Sequence, residues 1–393
     1  MRFFRDISKF FAVLCCAVMF GGFGLRVLAD CSAFGLPFTD LGTTSFCAQI
    51  AEAYYTGLTN GTSATAYSPT QNVPREQMAA FVTRTLDKSL SRGSRRAALQ
   101  QFWTTTPEYA NGLGTVTVGS GGGILAQSDG ENVWVPFSAS VYSVHTSDGK
   151  VTGPWTGATG AYGVVVAMGK VFISGSGSPG ALFMIDPSAA PTAVTTVSSS
   201  LGDVPNGLTF DGQSIWTANE SGSVSKITPT GVGTWSVGTV STGGGSAPRS
   251  AIFDGQHVWV SDAGVNHALL ELDSAGAILK TVTVGQSPGQ IVFDGTNIWA
   301  PNFDNSVSVV RVSDGLVVAT LTGNGLNQPA AAAFDGQRIL VTNSGDSSVS
   351  LFQATSLAPI GHVATGLPGI FGSCSDGRDF WIVSTGTNKI ARF

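Results

Sequence analysis

The chain has 393 residues, of which 42% are hydrophobic and 11% charged, with 51 glycines and a formal net charge of −5. So apolar a composition excludes a disordered chain, its acidity gives no basic surface for nucleic acid, and its glycine content points to a turn-rich β protein. The length admits two domains, or one large repeat array with a smaller companion.

Residues 1–29 read as an export signal. Arg2, Arg5 and Lys9 form a basic head, residues 10–25 ("FFAVLCCAVMFGGFGL") a short apolar core, and "VLA" at 27–29 offers the small residues a signal peptidase reads, with cleavage after Ala29. The alternative, an uncleaved membrane anchor, meets an apolar run that is short for a span and is followed by Arg26. A lipid anchor on Cys31 is disfavoured because Asp30 stands where a lipoprotein box needs a small residue. Removal takes Arg2, Arg5, Lys9 and Arg26 from the 20 Lys+Arg and Asp6 from the 25 Asp+Glu, leaving 16 − 24 = −8. The expectation is a mildly acidic protein, secreted or held in a bacterial cell envelope (periplasm or cell surface), with no membrane span after cleavage. Cys15 and Cys16 leave with the signal. In an oxidising compartment Cys31 and Cys47 are then candidates for a disulfide, with Cys374 a buried free thiol. No CxxC pair supports a zinc site, and no cofactor or metal is expected.

Residues 30–87 carry helical spacing. Cys47, Ile50, Ala51, Tyr54 and Leu58 form one stripe and Met78, Phe81, Val82, Leu86 and Leu90 a second, as in a short αα-hairpin whose own core is small. Phe38 and Asp40 open the segment, Gly57 and Gly61 flank its turn, Tyr67 and Pro69 lead to the second helix, and Arg75-Glu76 begin it. In this pattern the segment resembles one S-layer homology motif. That resemblance implies binding of a cell-wall polymer or peptidoglycan, with Asp40 and Arg75 at the groove positions. Pro74 departs from the family's Thr, and one motif stands where many relatives carry three. The competing reading makes the hairpin a structural cap. Residues 88–112 read as a helical linker whose Arg92, Arg95 and Arg96 form a solvated face.

From 113 to the end the chain repeats itself. Asp-Gly pairs at Asp129, Asp211, Asp254, Asp294, Asp335 and Asp376, with a degenerate copy at Met168, stand 39, 43, 43, 40, 41 and 41 residues apart in chain order. A period near 40 is the length of one four-stranded propeller blade, and seven copies predict a mainly β, seven-bladed propeller over 113–393. Residues 290–322 show one blade: "QIVF", a turn at Asp294-Gly295, "IWAPN", "SVSVVRV", a turn at Asp314-Gly315, and "VVATLTG". Gly supplies the positive φ of a tight hairpin, and Asp can bond its own backbone. Trp134, Phe172, Trp216, Trp259, Trp299, Leu340 and Trp381 share one register; they read as core between blades rather than as a ligand ladder. The last unit holds three strands only. "LGTVTVG" at 113–119 matches "KTVTVG" at 280–285, so the N-terminal strand is expected to complete the C-terminal blade and remove both edges.

"LVTN" at 340–343 followed by "SGDSSVSLF", and "TVTVGQSPGQIVFDG" at 281–295, resemble the YVTN-type propellers, within the wider group of virginiamycin B lyase and the NHL propellers. The resemblance implies the fold and leaves function open, since this architecture hosts enzymes and binding platforms alike.

A propeller ligand is expected on the face formed by the loops between strands two and three and the links between blades. Asn219, Asp262, Asn302 and Asn343 fall there, either as ligand contacts or bonding their own loops. Arg249, the charge after an inter-blade proline, either holds an anionic ligand or partner or forms a salt bridge. His145, His257, His267 and His362 have no metal-ligand spacing. "GSGSPG" at 175–180 fits GxGxxG without the helix that a dinucleotide site needs. The expectation is a binding platform for a protein or small ligand. The rival is a propeller enzyme of lyase type, for which Arg249, His267 and Asp262 are the best available trio.

Overall fold

The computed structural model describes residues 36–42, 44, 46, 50, 53–54, 59, 61–75, 77–82, 114–119, 122–146 and 149–393. The export signal, the Cys31/Cys47 pair and the 88–112 linker lie outside these residues. The chain divides into two compact units, at Met1–Lys88 and Ser89–Phe393.

In the first unit Phe38, Leu41 and Ile50 are buried, with Leu36, Tyr54 and Tyr67 packed on them. The Phe38 ring meets Tyr54 edge-on at 5.2 Å between centroids and Tyr67 at 5.4 Å. The Asp40 carboxylate accepts the N–H groups of Tyr67 at 2.8 Å and Ser68 at 2.7 Å, and those bonds hold its carboxyl below the usual range. Asp40 thus ties the opening loop to the segment before the second helix. Arg75 begins that helix and is exposed.

The second unit is seven four-stranded antiparallel sheets. Blade one is β2 (Gln127–Ser128), β3 (Asn132–Phe137), β4 (Ser140–His145) and β5 (Val151–Thr156). Blade two runs from β6 (Ala161–Ala167) through β7 (Lys170–Gly175) and β8 (Gly180–Ile185) to β9 (Thr195–Leu201). Blade three is β10 (Pro205–Phe210), β11 (Ile215–Asn219), β12 (Ser223–Gly231) and β13 (Thr234–Ser241). Blade four is β14 (Pro248–Phe253), β15 (Val258–Asp262), β16 (Ala268–Leu272) and β17 (Ile278–Thr283). Blade five is β18 (Val292–Phe293), β19 (Asn297–Asn302), β20 (Ser306–Arg311) and β21 (Leu316–Thr322), and blade six β22 (Pro329–Phe334), β23 (Arg338–Asn343), β24 (Ser348–Gln353) and β25 (Pro359–Ala364). Blade seven combines β26 (Ile370–Ser375), β27 (Phe380–Ser384) and β28 (Lys389–Arg392) with β1 (Gly114–Thr117) from the other end of the propeller. Val116 pairs with Ile390 and Thr115 with Ala391, so the ring closes by the strand exchange that the sequence match anticipates. The fold is a seven-bladed β-propeller.

One chemical unit recurs at the strand one to strand two turns. In blade five Asp294 Oδ1 accepts the N–H groups of Thr296 and Asn297, while its Oδ2 accepts Trp299 Nε1–H at 2.7 Å. The same Asp-to-Trp bond joins Asp129 to Trp134, Asp211 to Trp216, Asp254 to Trp259 and Asp376 to Trp381. The intervening glycine is at positive φ, +93° at Gly295, which a side chain would strain. One carboxylate therefore fixes the hairpin and satisfies the indole that is about to be buried. Each indole then packs across a blade boundary: Trp216 of blade three sits with Val258 and Leu270 of blade four, and Trp381 with Val133 and Val135 of blade one. Burying such a ring stabilises by roughly 2–3 kcal/mol. Blade six carries Leu340 instead, and there Asp335 binds Arg338 Nε at 2.8 Å.

Candidate functional site

All seven inner strands line a central cavity of about 280 Å³, walled by residues such as Gln127, Val165, Ser250, Gln290, Ala332 and Cys374. Cys374 is a buried free thiol, and burial pushes its pKa up, away from thiolate chemistry.

At the end where the inner strands begin, each carries one residue more than its partner strand. Pro248 pairs with Asp262 and Ser250 with Ser261, which leaves Arg249 unopposed. The same shift follows Ala161, Pro205, Pro329 and Ile370, and the bridges Gly123 to Phe137 and Pro288 to Asn302 place the other two blades in step. These bulges define one ring at the channel mouth: Ile124, Tyr162, Asn206, Arg249, Gly289, Ala330 and Phe371. A bulge aims its extra residue out of the ladder. Hydroxyls from the second strands of blades two, four and six fix the ring. Ser174, Ser261 and Thr342 donate to the carbonyls of Asn206, Gly289 and Phe371 in the following blade.

The ring is chemically lopsided. Blades two to four contribute Tyr162, Asn206 and Arg249, while the other four supply Gly, Ala, Ile and Phe. Glu220, in the loop after β11, joins the polar arc: its carboxylate accepts Asn206 Nδ2 at 3.2 Å and lies 4.0 Å from Arg249 Nε. Arg249 Nη1 donates to Ser287 Oγ at 3.2 Å, and Ser287 N–H donates to His267 Nδ1 at 3.2 Å, which leaves the imidazole proton on Nε2. Asn206 is 3% exposed, and its Oδ1 has no hydrogen-bond partner among the described residues. Burial raises the pKa of Tyr162; the negative charge of Glu220 adds to this and the positive charge of Arg249 opposes it. The phenol is therefore neutral and sits in the field of both charges.

The links that present this arc are strained. Val204 and Ser287 take φ values of +56° and +52° directly before prolines. That conformation costs roughly 1–3 kcal/mol for a residue other than glycine. Val204 uses its carbonyl to hold Glu220 N–H at 2.9 Å.

The residues expected from sequence separate into two groups. Arg249 and His267 come together through Ser287. Asn219, Asn302 and Asn343 are fully buried, each amide donating to two serines of its own third strand: Ser223 and Ser225, Ser306 and Ser308, Ser348 and Ser350. Asp262 is likewise buried, and its Oδ1 accepts the N–H groups of Ala247 at 2.7 Å and Gly264 at 2.9 Å. These four pin strand ends, while Asp262 Oδ2 and Asn302 Oδ1 stay buried without a hydrogen-bond partner among the described residues.

Tyr162, Asn206, Glu220 and Ser287 carry no motif of their own in the sequence; Tyr162 and Asn206 stand in the slot that Arg249 occupies, one residue after the blade link. His145, His257 and His362 lie apart: His257 Nδ1 meets Glu271 at 2.8 Å and His362 Nε2 meets Ser348 Oγ at 2.7 Å. Among the described residues no group of three or more His, Cys, Asp or Glu is placed to hold a metal ion. "GSGSPG" is the hairpin between β7 and β8.

No protein-family model matches the chain, and neither does any curated protein searched. Solved structures do. A virginiamycin B lyase from Staphylococcus aureus superposes with a TM-score of 0.61 at 17% identity, over 71% of this chain and 98% of that one. Kuenenia stuttgartiensis hydrazine synthase gives 0.60 at 15% identity, covering 69% and 95%. The WD40 β-propeller domain of Doa1 gives 0.59 at 12% identity, covering 72% and 96%. The likeness is one of fold. Proteins with such different names share the ring, so this chain's function has to be read from its own mouth residues. Among the described residues no helix is long and apolar enough to cross a membrane.

Proposed function

We propose that the propeller is a binding platform that seats its ligand at the channel mouth, on the polar arc of blades two to four. The observation that carries this reading is the Glu220 and Arg249 pair. Their charged groups stand 4.0 Å apart, partly exposed, each with hydrogen-bonding capacity left over. A partly exposed pair at this distance contributes little to stability. A thermal-shift screen of the full chain against small polar molecules tests the reading. Ligands bound at the mouth raise the melting temperature of the wild type and lose that effect in Arg249→Met, whereas hits retained by the variant place binding elsewhere.

The reading extends to location. A basic head, apolar core and "VLA" box support export, and the likeness of residues 30–87 to an S-layer homology motif supports tethering to a cell-wall polymer through Asp40 and Arg75. Co-sedimentation with purified sacculi, lost in the Asp40→Ala, Arg75→Ala double variant, checks the tether; unchanged retention removes it.

A second reading, a lyase-type enzyme, has one observation in its favour. His267 holds its Nδ1 to Ser287 and keeps Nε2 for another partner, beside a cation at Arg249. A chemical product that disappears with His267→Ala in a folded variant would establish it over the platform.

A further inference from the structure

The polar arc also constrains the chemistry of what it binds, and this step rests on the channel mouth being the ligand site. A carboxylate only accepts hydrogen bonds and a guanidinium only donates them. Glu220 and Arg249 face each other across 4.0 Å, and each holds one neutral neighbour, Asn206 Nδ2 at 3.2 Å and Ser287 Oγ at 3.2 Å. One atom can serve both charges only if it donates and accepts at once. A hydroxyl does this. An ester or ketone oxygen cannot donate, an ammonium cannot accept, and a peptide group donates and accepts through two different atoms that point to opposite sides of its C–N bond.

The neighbours ask for the same chemistry. Asn206 Oδ1 is a buried acceptor without a donor. His267 has a donor left on Nε2 after Nδ1 has accepted Ser287 N–H. Tyr162, on the same ring, is a partly exposed aromatic residue in the field of Glu220 and Arg249. Across the mouth Phe371, half-buried on the equivalent bulge, supplies an apolar surface. Planar polar groups set for adjoining hydroxyls, with aromatic rings at the margin, fit a ring-shaped ligand that is polar at its rim and apolar on its face.

We propose that the mouth binds a saccharide, with one sugar hydroxyl bridging Glu220 and Arg249 and its neighbours extending along the two flanks of the pair, toward Asn206 beside Glu220 and toward His267 beyond Ser287. The reading is specific to hydroxyl-bearing ligands. Capping those hydroxyls abolishes the dual role that the charge pair requires.

Calorimetric titration of the full chain tests it, with cellotriose, maltotriose and triacetylchitotriose as saccharide probes, their O-methylated counterparts, and trialanine as the peptide probe. The expected result is binding of at least one trisaccharide, loss of binding on O-methylation, and weakening of about tenfold or more in both Glu220→Ala and Arg249→Met, as befits hydrogen bonds to charged groups. Circular dichroism melts confirm that the variants are folded. Absence of heat with all three trisaccharides overturns the saccharide assignment. If trialanine binds and Arg249→Met abolishes it, the mouth stands as the site and the saccharide assignment falls. Saccharide binding unchanged in both variants overturns the placement at the mouth itself.

Discussion

Trp299 donates its indole N–H to Asp294 Oδ2 at 2.7 Å, and the ring it belongs to is fully buried. The bond joins the two most repeated features of the sequence, the turn aspartate and the apolar second strand, into a single device. Removing the acceptor leaves a buried N–H unpaired. Asp294→Ala is expected to destabilise the propeller by about 1–3 kcal/mol, read as a lower midpoint in urea. Asp294→Asn, which keeps one acceptor oxygen for the turn N–H groups and loses the one facing the indole, is expected to cost less. Equal losses in the two variants would show that the indole bond alone matters.

Blade seven depends on four residues from the far end of the propeller. Deleting 114–117 exposes the edge of β28, where Lys389, Ile390, Ala391 and Arg392 now find partners. The expected outcome is a lower melting temperature together with higher-order species in light scattering. A monomeric variant that melts like the parent would contradict the closure's role in stability.

The hydroxyl clasps give a third test. Ser261 Oγ donates to Gly289 O at 2.7 Å and accepts Ser250 N–H at 3.1 Å, all of it buried. Ser261→Ala is expected to cost about 1–3 kcal/mol because both backbone groups lose their partner. Ser221→Ala removes one exposed bond to the Asp203 carbonyl and is expected to stay within about 0.5 kcal/mol.

Acid should weaken the fold through specific carboxylates. Burial opposes ionisation of Asp129, but the bonds from Trp134 and from the N–H groups of Asn132 and Glu131 outweigh it and lower its pKa. Asp186 is held down to about 2, first by the Lys170 ammonium and then by the Ser188 hydroxyl. Both carboxyls have lower pKa values folded than unfolded, so between those values the unfolded chain binds more protons. Their contribution is complete above roughly pH 5 and is lost as pH falls through about 4 towards the folded values. Urea melts at pH 6, 4 and 3 should show falling stability, with a shallower fall in Asp129→Asn. A midpoint that rises on acidification would refute the assignment.

Stability and binding should come apart at the mouth. Glu220 and Arg249 are partly exposed and 4.0 Å apart, so a double-mutant cycle on unfolding is expected to return a coupling below about 0.5 kcal/mol. A large coupling would make the pair a structural bridge.

The fold was legible because its demands fall on fixed residue types at a fixed period. Positive φ asks for Gly at Gly295, the hairpin asks for Asp, and a surface pressed between two blades asks for Trp299. Asp294 and Trp299 even stand at a constant spacing, although spacing alone does not reveal the bond between them. The strand-end residues were harder to read: Asn219, Asn302 and Asn343 lie at the ends of the second strands yet spend their amides on the serines that stand first and third in the next strand. The polar arc was mostly hidden. Arg249 stands out as a charge after an inter-blade proline, but Glu220 reaches it from another blade, and contacts between blades leave no periodic trace. Tyr162 follows Ala161 rather than a proline, so its equivalence to Arg249 emerges only from the pairing of β6 with β7.

The seven bulges have a consequence for how such a protein changes over time. A side chain at a bulge has already left the strand ladder, so replacing it disturbs no register and no inter-blade seam. Four of the seven mouth positions, the partly exposed Ile124, Tyr162, Arg249 and Phe371, are therefore the most open to exchange. Asn206 and Ala330 are buried, and Gly289 is closed because a Cβ there would lie 2.1 Å from the Ala330 carbonyl oxygen. The surface of the mouth can thus be rewritten one blade at a time with little effect on folding, which makes these four positions the natural library for selecting new ligands.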